Sequence, residues 1–289
     1  MTTELEKRAI EYLKLFEPET EPYYLCYSGG KDSDVIRILA SLAGVKHDIV
    51  NNHTTVDAPE TVRYIRSIPN VMITYPKRTM WQLIVDKGMP PTRLVRYCCE
   101  ELKEKGGEGR VKVTGVRKAE SVTRAQNSGV VKIIGKPKTV EKTAIEAGAN
   151  YELTPKLGIV LNTDNAASKR VVEQCYRTTS TLINPIVDWS DNDVWEFLRH
   201  YGCKSNPLYE CGFRRIGCIG CPMGGGKRMK EVFLRYPKYK ENYIRAFDRM
   251  IARRAERGLP LVHKSGEECF TWWVGDNPNQ IAFDFGEDI

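Results

Sequence analysis

Long apolar runs are missing from this 289-residue sequence, in which no stretch approaches the ~20 residues that a helix needs to cross a bilayer. The first residues, Met1 to Lys7, also lack the apolar core of a secretory signal peptide. Apolar residues make up 41% of the chain and charged residues 28%, as is typical of a globular protein. We therefore expect a cytoplasmic protein with no membrane partner.

Histidine is scarce as well, and the four residues of this type show no metal-ligand spacing. Internal repeats and low-complexity tracts are also missing, which argues against a repeat architecture. The chain instead has nine cysteines. Because a reducing compartment keeps thiols free, metal or redox chemistry is a better interpretation of these cysteines than a disulfide framework.

The net charge is +7, and basic residues concentrate in the last third of the chain, within 227–230, 235–240 and 245–257. A basic surface suits a polyanionic partner such as tRNA, DNA or a phosphorylated nucleotide. A solvated helix face would have the same composition, so both interpretations stay open.

The stretch from Tyr23 to Ser33 is the centre of the sequence. Its apolar, aromatic start predicts a strand, Ser-Gly-Gly-Lys-Asp-Ser predicts a tight turn, and Asp34 to Ala40 has helical periodicity. A glycine-rich turn from a strand into a helix directs backbone N–H groups and the positive helix end towards one anion. Asp32 is a candidate Mg²⁺ ligand. The predicted nucleotide-binding residues here are Ser28, Gly29, Gly30, Lys31, Asp32 and Ser33.

This turn resembles the pyrophosphate loop (PP-loop) of the adenine-nucleotide alpha-hydrolase-like superfamily. That group includes N-type ATP pyrophosphatases, ATP sulfurylase small subunits and sulfonucleotide reductases. The spacing is not that of a Walker motif, which needs four residues between its first glycine and Gly-Lys. The resemblance implies that an adenine nucleotide, ATP with Mg²⁺ or a sulfonucleotide, binds here.

Strands alternate with helices along the first part of the chain, which predicts an α/β fold. We expect a Rossmann-like parallel sheet with helices on both faces and a helical C-terminal region. The predicted division is a nucleotide-binding domain over 1–190 and a C-terminal region over 191–289. Residues 127–170 are predicted to be an insertion, formed by a hairpin and a mobile loop that covers the site. The tail over 269–289 is predicted to pack back on the body.

Two cysteine motifs are candidate metal ligands: the adjacent pair Cys98-Cys99 and the CxxC motif Cys218-Ile219-Gly220-Cys221. Two adjacent thiolates do not easily reach one zinc ion in tetrahedral geometry. In a cubane cluster each thiolate binds a different iron, so the combination favours 4Fe-4S over zinc.

Over most of its length the chain resembles the PAPS/APS (sulfonucleotide) reductase family. The resemblance rests on four segments: 51–61, 115–124, 184–195 and 206–218, the last of which leads into CxxC. It implies that the cluster ligands are Cys98, Cys99, Cys218 and Cys221. Cys175, Cys203 or Cys211 could substitute for one of them.

The segment 115–124 resembles the arginine motif of the family, and its chemistry supports that interpretation. Arg117 and Arg124 carry guanidinium groups, which grip phosphate or sulfate oxygens in pairs. Glu120 could orient one of them. The predicted nucleotide-binding residues outside the loop are Asp57, Gly115, Arg117 and Glu120.

The chain departs from the reductases in two places. Their near-terminal catalytic motif, Glu-Cys-Gly-Leu-His, has only a partial counterpart around Cys269, which stays a candidate nucleophile. Their loop is usually degraded, whereas this one keeps Lys31 and Asp32. Both departures favour ATP cleavage between the α and β phosphates. Lys31, Asp32, Arg117 and Arg124 are the predicted catalytic residues.

The leading hypothesis is an ATP pyrophosphatase with a 4Fe-4S cluster that activates a substrate for sulfur transfer. Nucleic-acid thiolation and DNA phosphorothioation are the nearest analogies, with tRNA or DNA and a sulfur donor such as a cysteine desulfurase as partners. One alternative is a true PAPS or APS reductase that forms sulfite and whose catalytic cysteine is afterwards released by thioredoxin. The others are an ATP sulfurylase small subunit and a non-catalytic nucleotide-binding subunit.

Overall fold

The computed structural model describes residues 3–155 and 158–275. The strands in this part of the chain are β1 (Tyr23–Cys26), β2 (His47–Asn52), β3 (Val71–Thr74), β4 (Lys112–Val113), β5 (Val131–Ile134), β6 (Glu152–Leu153), β7 (Ile159–Leu161) and β8 (Ser180–Ile183). The helices are α1 (Glu4–Leu15), α2 (Lys31–Ala43), α3 (Pro59–Ser67), α4 (Met80–Lys87), α5 (Tyr97–Cys99), α6 (Val122–Asn127), α7 (Pro137–Glu146), α8 (Ala166–Cys175), α9 (Asp191–His200), α10 (Gly225–Arg235), α11 (Pro237–Glu256) and α12 (Gly266–Trp273).

The chain forms two compact units, each assembled from three segments. Unit 1 consists of the described parts of Met1–Asn51, Glu60–Thr74 and Gly106–Ile216, and unit 2 of those of Asn52–Pro59, Tyr75–Lys105 and Gly217–Ile289. The predicted domain boundary at residue 190 stays a prediction. Both compact units contain segments from before and after that residue. The predicted packing of the tail from residue 276 onwards lies outside the described residues.

Unit 1 is built on an eight-stranded sheet in the order β3-β2-β1-β4-β8-β5-β7-β6. The strands β2, β1, β4 and β8 are parallel neighbours. Three consecutive residues of β1, from Tyr23 to Leu25, are buried, as they are in a strand that is covered on both faces. The predicted α/β, Rossmann-like class is confirmed, with a sheet that is mixed and mostly parallel.

The interpretation of residues 127–170 as a hairpin with a mobile covering loop is wrong in part. A hairpin is present, because β6 and β7 pair antiparallel, but the segment also supplies β5 and α7. β5 pairs antiparallel with both β7 and β8, so the segment extends the sheet. Alternating Val131 and Ile133 on β5 are fully buried, which makes this region part of the core of unit 1.

Unit 2 is organised around aromatic side chains. Tyr243 on α11 is buried and packs against Trp81 of α4, Phe233 of α10 and Trp273 of α12, with ring centroids 4.8, 5.5 and 4.7 Å away. Its hydroxyl donates a hydrogen bond to the Ile219 carbonyl at 2.9 Å. The C-terminal region is helical, as predicted. Because Ile219 lies inside the CxxC motif, this hydrogen bond attaches the motif to the aromatic core of unit 2.

Membrane-spanning helices are not found in residues 3–155 and 158–275, where no helix has both the length and the apolar composition to cross a bilayer.

A buried carboxylate lies inside unit 1 on the first turn of α2. The side chain of Asp34 is inaccessible to solvent and accepts hydrogen bonds from the hydroxyls of Tyr27 at 2.7 Å and Tyr64 at 2.8 Å. Burial raises the pKa of this carboxyl to about 6, although both hydroxyls and Arg37 act against that rise.

This carboxyl predicts a pH dependence of stability. Because its pKa is raised on folding, the folded chain keeps a proton between about pH 4 and 6 that the unfolded chain has lost. Its stabilising contribution is complete below about pH 4 and is lost as the pH rises through 6. The free energy of unfolding of the wild type, measured relative to Asp34→Asn, should fall by about 3 kcal/mol from pH 3 to pH 7. Denaturant titrations at several pH values measure it, and parallel curves for the two proteins would contradict it.

Candidate functional site

The predicted strand, turn and helix around residues 23–40 are all present, since β1 ends at Cys26 and α2 begins at Lys31. Gly29 has a φ of 70°, a left-handed conformation that glycine adopts at little cost. A Cβ at this position would lie 2.8 Å from the Ile65 side chain. The turn therefore needs glycine, and it places the positive end of α2 beside the exit of β1.

Ser33 holds the turn in place from inside the helix. Its hydroxyl accepts a hydrogen bond from the Gly30 N–H at 3.1 Å and donates one to the Gly30 carbonyl at 2.7 Å. The Ser28 hydroxyl lies 3.4 Å from that of Ser33. The amide of Gly30, predicted to face an anion, is thus already engaged by a serine hydroxyl.

Arg117 is the central side chain of the site, and it is only 1% exposed. Its Nε donates to Asp32 Oδ1 at 2.7 Å, and its Nη2 donates to Asp191 Oδ1 at 2.5 Å. The remaining Nη1 donates to the Trp189 carbonyl at 3.2 Å. Although burial acts in the opposite direction, Asp32 and Asp191 raise the pKa of the guanidinium.

Lys31 completes a network of two cations and two carboxylates. Its Nζ lies 3.2 Å from Asp32 Oδ2 and 3.0 Å from Asp191 Oδ1. Lys31 lowers the pKa of Asp191, and Arg117 acts in the same direction. The network holds both cations at the start of α2, where a phosphate group would meet them.

Gly115 allows this network to form. It follows β4, which is the parallel neighbour of β1, so both strands end at the same edge of the sheet. A Cβ on Gly115 would lie 2.8 Å from the Asp32 Cβ and 2.9 Å from its carbonyl oxygen. The absence of a side chain at Gly115 therefore lets the segment with Arg117 approach α2.

These groups line one cavity of about 350 Å³ in unit 1, a volume within the range of small-molecule sites. Nine predicted site residues line it: Ser28, Gly30, Lys31, Asp32, Ser33, Gly115, Arg117, Glu120 and Arg124. Gly29 belongs to the same turn but is not part of this lining. The lining also contains residues with no predicted site role, among them Asp191, Tyr209, Arg214 and Arg215.

Glu120 contacts both arginines of the predicted arginine motif. One of its carboxylate oxygens accepts from the Arg117 backbone N–H and lies 3.3 Å from Arg124 Nη1. Burial lowers the pKa of Arg124, and the neighbouring guanidinium groups of Arg215 and Arg117 act in the same direction, while Glu120 opposes them. Positive charge is therefore crowded on this wall of the cavity, as suits an anionic ligand.

Asp191 and Tyr209 are among the site residues that sequence reasoning missed. Asp191 is the first residue of α9, which begins with a capping box between Ser190 and Asp193. Recognition of β8 as a further parallel strand would have placed the segment that leads to Asp191 at the same sheet edge as Gly115. Tyr209 lies within a segment singled out only for its resemblance, and nothing in its local pattern indicates a ligand.

Asp57, predicted to bind the nucleotide, belongs to unit 2 and is not part of the cavity lining. It accepts a hydrogen bond from the Thr54 N–H at 2.8 Å and lies 3.1 Å from His53 Nδ1. Although burial opposes it, these two contacts lower the pKa of the carboxyl. Its role in the structure is to hold the turn before α3.

The four predicted cluster cysteines all fall within unit 2, whereas Cys175, Cys203 and Cys211 belong to unit 1. The Cys98 thiol forms a hydrogen bond with Cys99, which raises the pKa of Cys98 and lowers that of Cys99. The neighbouring Cys218 and Cys221 also raise the pKa of Cys98.

No group of three or more His, Cys, Asp or Glu side chains is placed to hold a single metal ion in the described parts of the chain. A cubane binds each thiolate through a different iron, so its ligands need not converge on one point. The Lys103 ammonium lies beside Cys218, which raises the pKa of the lysine. Four thiols of one unit with an adjacent cation fit a cluster of this type in their chemistry.

Cys269, the candidate nucleophile, lies on α12 and is fully buried. Burial raises the pKa of its thiol to about 12. A nucleophilic cysteine needs an accessible thiolate, so this placement argues against the predicted role.

The family model described as "phosphoadenosine phosphosulfate reductase domain" matches residues 22–223. The chain belongs to this family. Two uncharacterized proteins of Methanocaldococcus jannaschii are similar to it, at 26% identity over 84% of this chain and 24% over 83%. These matches cover 45% and 52% of the relatives, so the chain spans about half the length of the curated relatives it matches.

Similarity to named reductases is more local. An adenosine 5'-phosphosulfate reductase of Allochromatium vinosum is 49% identical over 39 residues, which cover 14% of this chain and 15% of that protein. Among solved structures, a phosphoadenylyl-sulfate reductase from Candida auris aligns with a TM-score of 0.44 at 17% identity, over 75% of this chain and 93% of that one.

The close approach at Gly115 gives a prediction for ligand binding. Gly115→Ala should displace Asp32 from Arg117, because the new methyl group has no space. Crowding of this kind costs about 1–3 kcal/mol, so the affinity for ATP should fall about tenfold or more. Gly217→Ala is the matched control, because its Cβ would meet no atom within 4 Å. Calorimetry with ATP measures the effect, and equal affinities for the two variants would contradict it.

Proposed function

We propose that this chain binds ATP at the turn before α2 and cleaves it between the α and β phosphates, to activate an acceptor for sulfur transfer. The observation that carries the proposal is the network of Lys31, Asp32, Arg117 and Asp191 at the start of α2. Two cations held at a helix N-terminus inside a cavity are suited to a polyphosphate.

The reaction would be an attack by an acceptor oxygen or nitrogen on the α-phosphorus. The new bond joins the acceptor to the adenylyl group, the bond from the α-phosphorus to the bridging oxygen breaks, pyrophosphate leaves, and the proton of the acceptor passes to water. Negative charge then develops on the pyrophosphate oxygens. Lys31 and Arg117 are held where they can stabilise this charge.

Asp32 and Asp191 are the candidate oxygen ligands for Mg²⁺. Magnesium is usually held by one or two carboxylates together with substrate phosphates. Both carboxylates are paired with Lys31 and Arg117 in the structure. When ATP binds with Mg²⁺, the Lys31 and Arg117 side chains could exchange a carboxylate partner for phosphate oxygens. That carboxylate would then be available to the metal.

In unit 2 we propose that Cys98, Cys99, Cys218 and Cys221 hold a 4Fe-4S cluster. Their grouping in one unit, with Lys103 beside Cys218, supports this assignment. A bound cluster would supply a sulfur-binding iron or a structural support for unit 2.

The proposed acceptor is a nucleic acid, tRNA or DNA, and the proposed sulfur donor is a protein such as a cysteine desulfurase. The support is the basic composition of the last third of the chain. Within unit 2 the side chains of Arg245 and Arg249 are exposed on α11, one turn apart. Exposed cations in a row attract a phosphate backbone.

A sulfonucleotide reductase is the second candidate function, favoured by the local similarity to adenosine 5'-phosphosulfate and phosphoadenosine 5'-phosphosulfate reductases. It needs a thiolate that attacks the sulfate sulfur, and Cys269 is buried with a raised pKa. Sulfite release from PAPS or APS that is lost in Cys269→Ser would favour this alternative over ATP cleavage.

Lys31 provides the test of ATP cleavage. Lys31→Met should reduce pyrophosphate release from ATP by about 100-fold, because it removes a charge that would stabilise the leaving group. Lys142→Met, which removes an exposed lysine of α7, is the control. Pyrophosphate is measured with tRNA and with DNA fragments as acceptors. Wild-type protein that releases no pyrophosphate with either acceptor would overturn the proposal.

The cluster assignment has a separate test that needs no activity. Protein prepared without oxygen should contain about four irons and four sulfides per chain, and Cys218→Ser should lose most of them. Cys211→Ser, which changes an exposed cysteine of unit 1, should keep them. Iron and sulfide analysis, with thermal unfolding as a check on folding, measures both. A folded wild-type chain without iron would overturn the assignment.

A further inference from the structure

Tyr209 contacts the start of α2 from a segment 178 residues away in the sequence. The backbone N–H of Lys31 donates a hydrogen bond to its phenolic oxygen at 2.8 Å. This N–H belongs to the first turn of α2, whose N–H groups have no partner within the helix. The phenolic oxygen therefore satisfies one of the N–H groups at the start of α2 that the helix itself leaves without a partner.

The segment from Asn206 to Tyr209 is fastened to the turn by more than this bond. The Asn206 side chain is fully buried, and its Nδ2 donates to the Gly29 carbonyl and to Thr61 Oγ1, each at 3.1 Å. The Tyr209 ring lies edge-on to Trp195, with centroids 5.0 Å apart. Both ends of the segment are thus fixed, and the hydroxyl is held in a defined position.

The hydrogen-bonding capacity of the phenol shows what it can offer to a ligand. A phenolic oxygen accepts hydrogen bonds and has one proton to donate. Here the oxygen accepts from Lys31 N–H, and Tyr209 lines the cavity. Burial raises the pKa of Tyr209, so the proton is retained at neutral pH. Because it accepts from the positive end of α2, the hydroxyl is also polarised towards donation.

We propose that the Tyr209 hydroxyl donates a hydrogen bond to a phosphate oxygen of the bound nucleotide, while the Lys31 N–H holds it at the start of α2. The inference rests on the proposed nucleotide site and assigns Tyr209 to it. Tyr209 then links the N–H group at the positive end of α2 to the ligand through two consecutive hydrogen bonds. It adds no charge to a cavity that Arg124 and Arg215 already make basic.

The alternative is that the bound nucleotide displaces the Tyr209 hydroxyl from the Lys31 N–H. If the hydroxyl only fills the place of an absent phosphate, the ligand must displace it, and its removal would strengthen binding. Tyr209→Phe distinguishes the two cases by the sign of its effect, because it keeps the ring against Trp195 and removes the hydroxyl. The control is Tyr201→Phe, which removes a tyrosine hydroxyl that contacts Glu6 in unit 1 outside the cavity.

The experiment is calorimetric titration of each protein with ATP and with adenosine. Tyr209→Phe should bind ATP about tenfold or more weakly, as expected for loss of a hydrogen bond to a charged group. Adenosine affinity should be unchanged in this variant, and ATP affinity unchanged in Tyr201→Phe. Equal or tighter ATP binding by Tyr209→Phe would overturn the inference. A wild type that binds no ATP would instead overturn the proposed function.

A second pair of variants tests the same point if Tyr209→Phe does not fold. Tyr209→Gln offers an amide acceptor for Lys31 N–H and an amide donor for the ligand, whereas Tyr209→Met is similar in size to glutamine but has no donor and only a weakly accepting sulfur. Tyr209→Gln should therefore bind ATP at least several-fold more tightly than Tyr209→Met. Equal affinities for this pair would contradict the proposed donation.

Discussion

The site depends on the double hydrogen bond that the buried Arg117 makes to Asp32 and Asp191. A guanidinium that is almost completely removed from water must be paired, because an unpaired buried charge is strongly destabilising. Its two partners come from the starts of two different helices, α2 and α9. This one side chain thus fixes the distance between two helix N-termini and orients Lys31 between them.

The sheet determines which segments can supply these partners. β1, β4 and β8 are parallel neighbours, so the residues that follow each strand meet at one edge. The segments after them carry Lys31, Arg117 and Asp191 respectively. Gly115 allows the middle segment to approach α2. Topology, one glycine and one guanidinium are together sufficient to account for the arrangement of the network.

Much of this could be predicted from the sequence because the signals are local. The strand, turn and helix around Gly29 and Gly30 follow from apolar periodicity and turn chemistry, and the helix start at Ser190 follows from its capping box. Arg117 was identified because its segment resembles the arginine motif of the family, and the chemistry of its guanidinium supported that interpretation. These features depend on neighbouring residues, which a sequence displays directly.

What the sequence did not reveal depends on contacts between distant segments. Tyr209 meets Lys31 across 178 residues, and no periodicity records such a contact. The region 127–170 is rich in Gly, Pro and Asn, which resembles a loop, yet its short strands pair into the sheet, β5 with β8 and β7, and β7 with β6. Asp57 has a carboxylate that could bind a ligand, but in the structure this carboxylate accepts a hydrogen bond that holds a turn. For Tyr209 and for residues 127–170, tertiary contacts outweighed the local pattern, whereas Asp57 is held by its own neighbours Thr54 and His53.

The division of unit 2 into three segments has a consequence for the order of synthesis. Cys98 and Cys99 are made early, whereas Cys218, Cys221 and the helix carrying Tyr243 follow more than a hundred residues later. Contacts of such high sequence separation form slowly because long loops must close first. On the ribosome the first two thiols therefore emerge long before their aromatic core exists, and the unit can be completed only after the sheet of unit 1 has been synthesised.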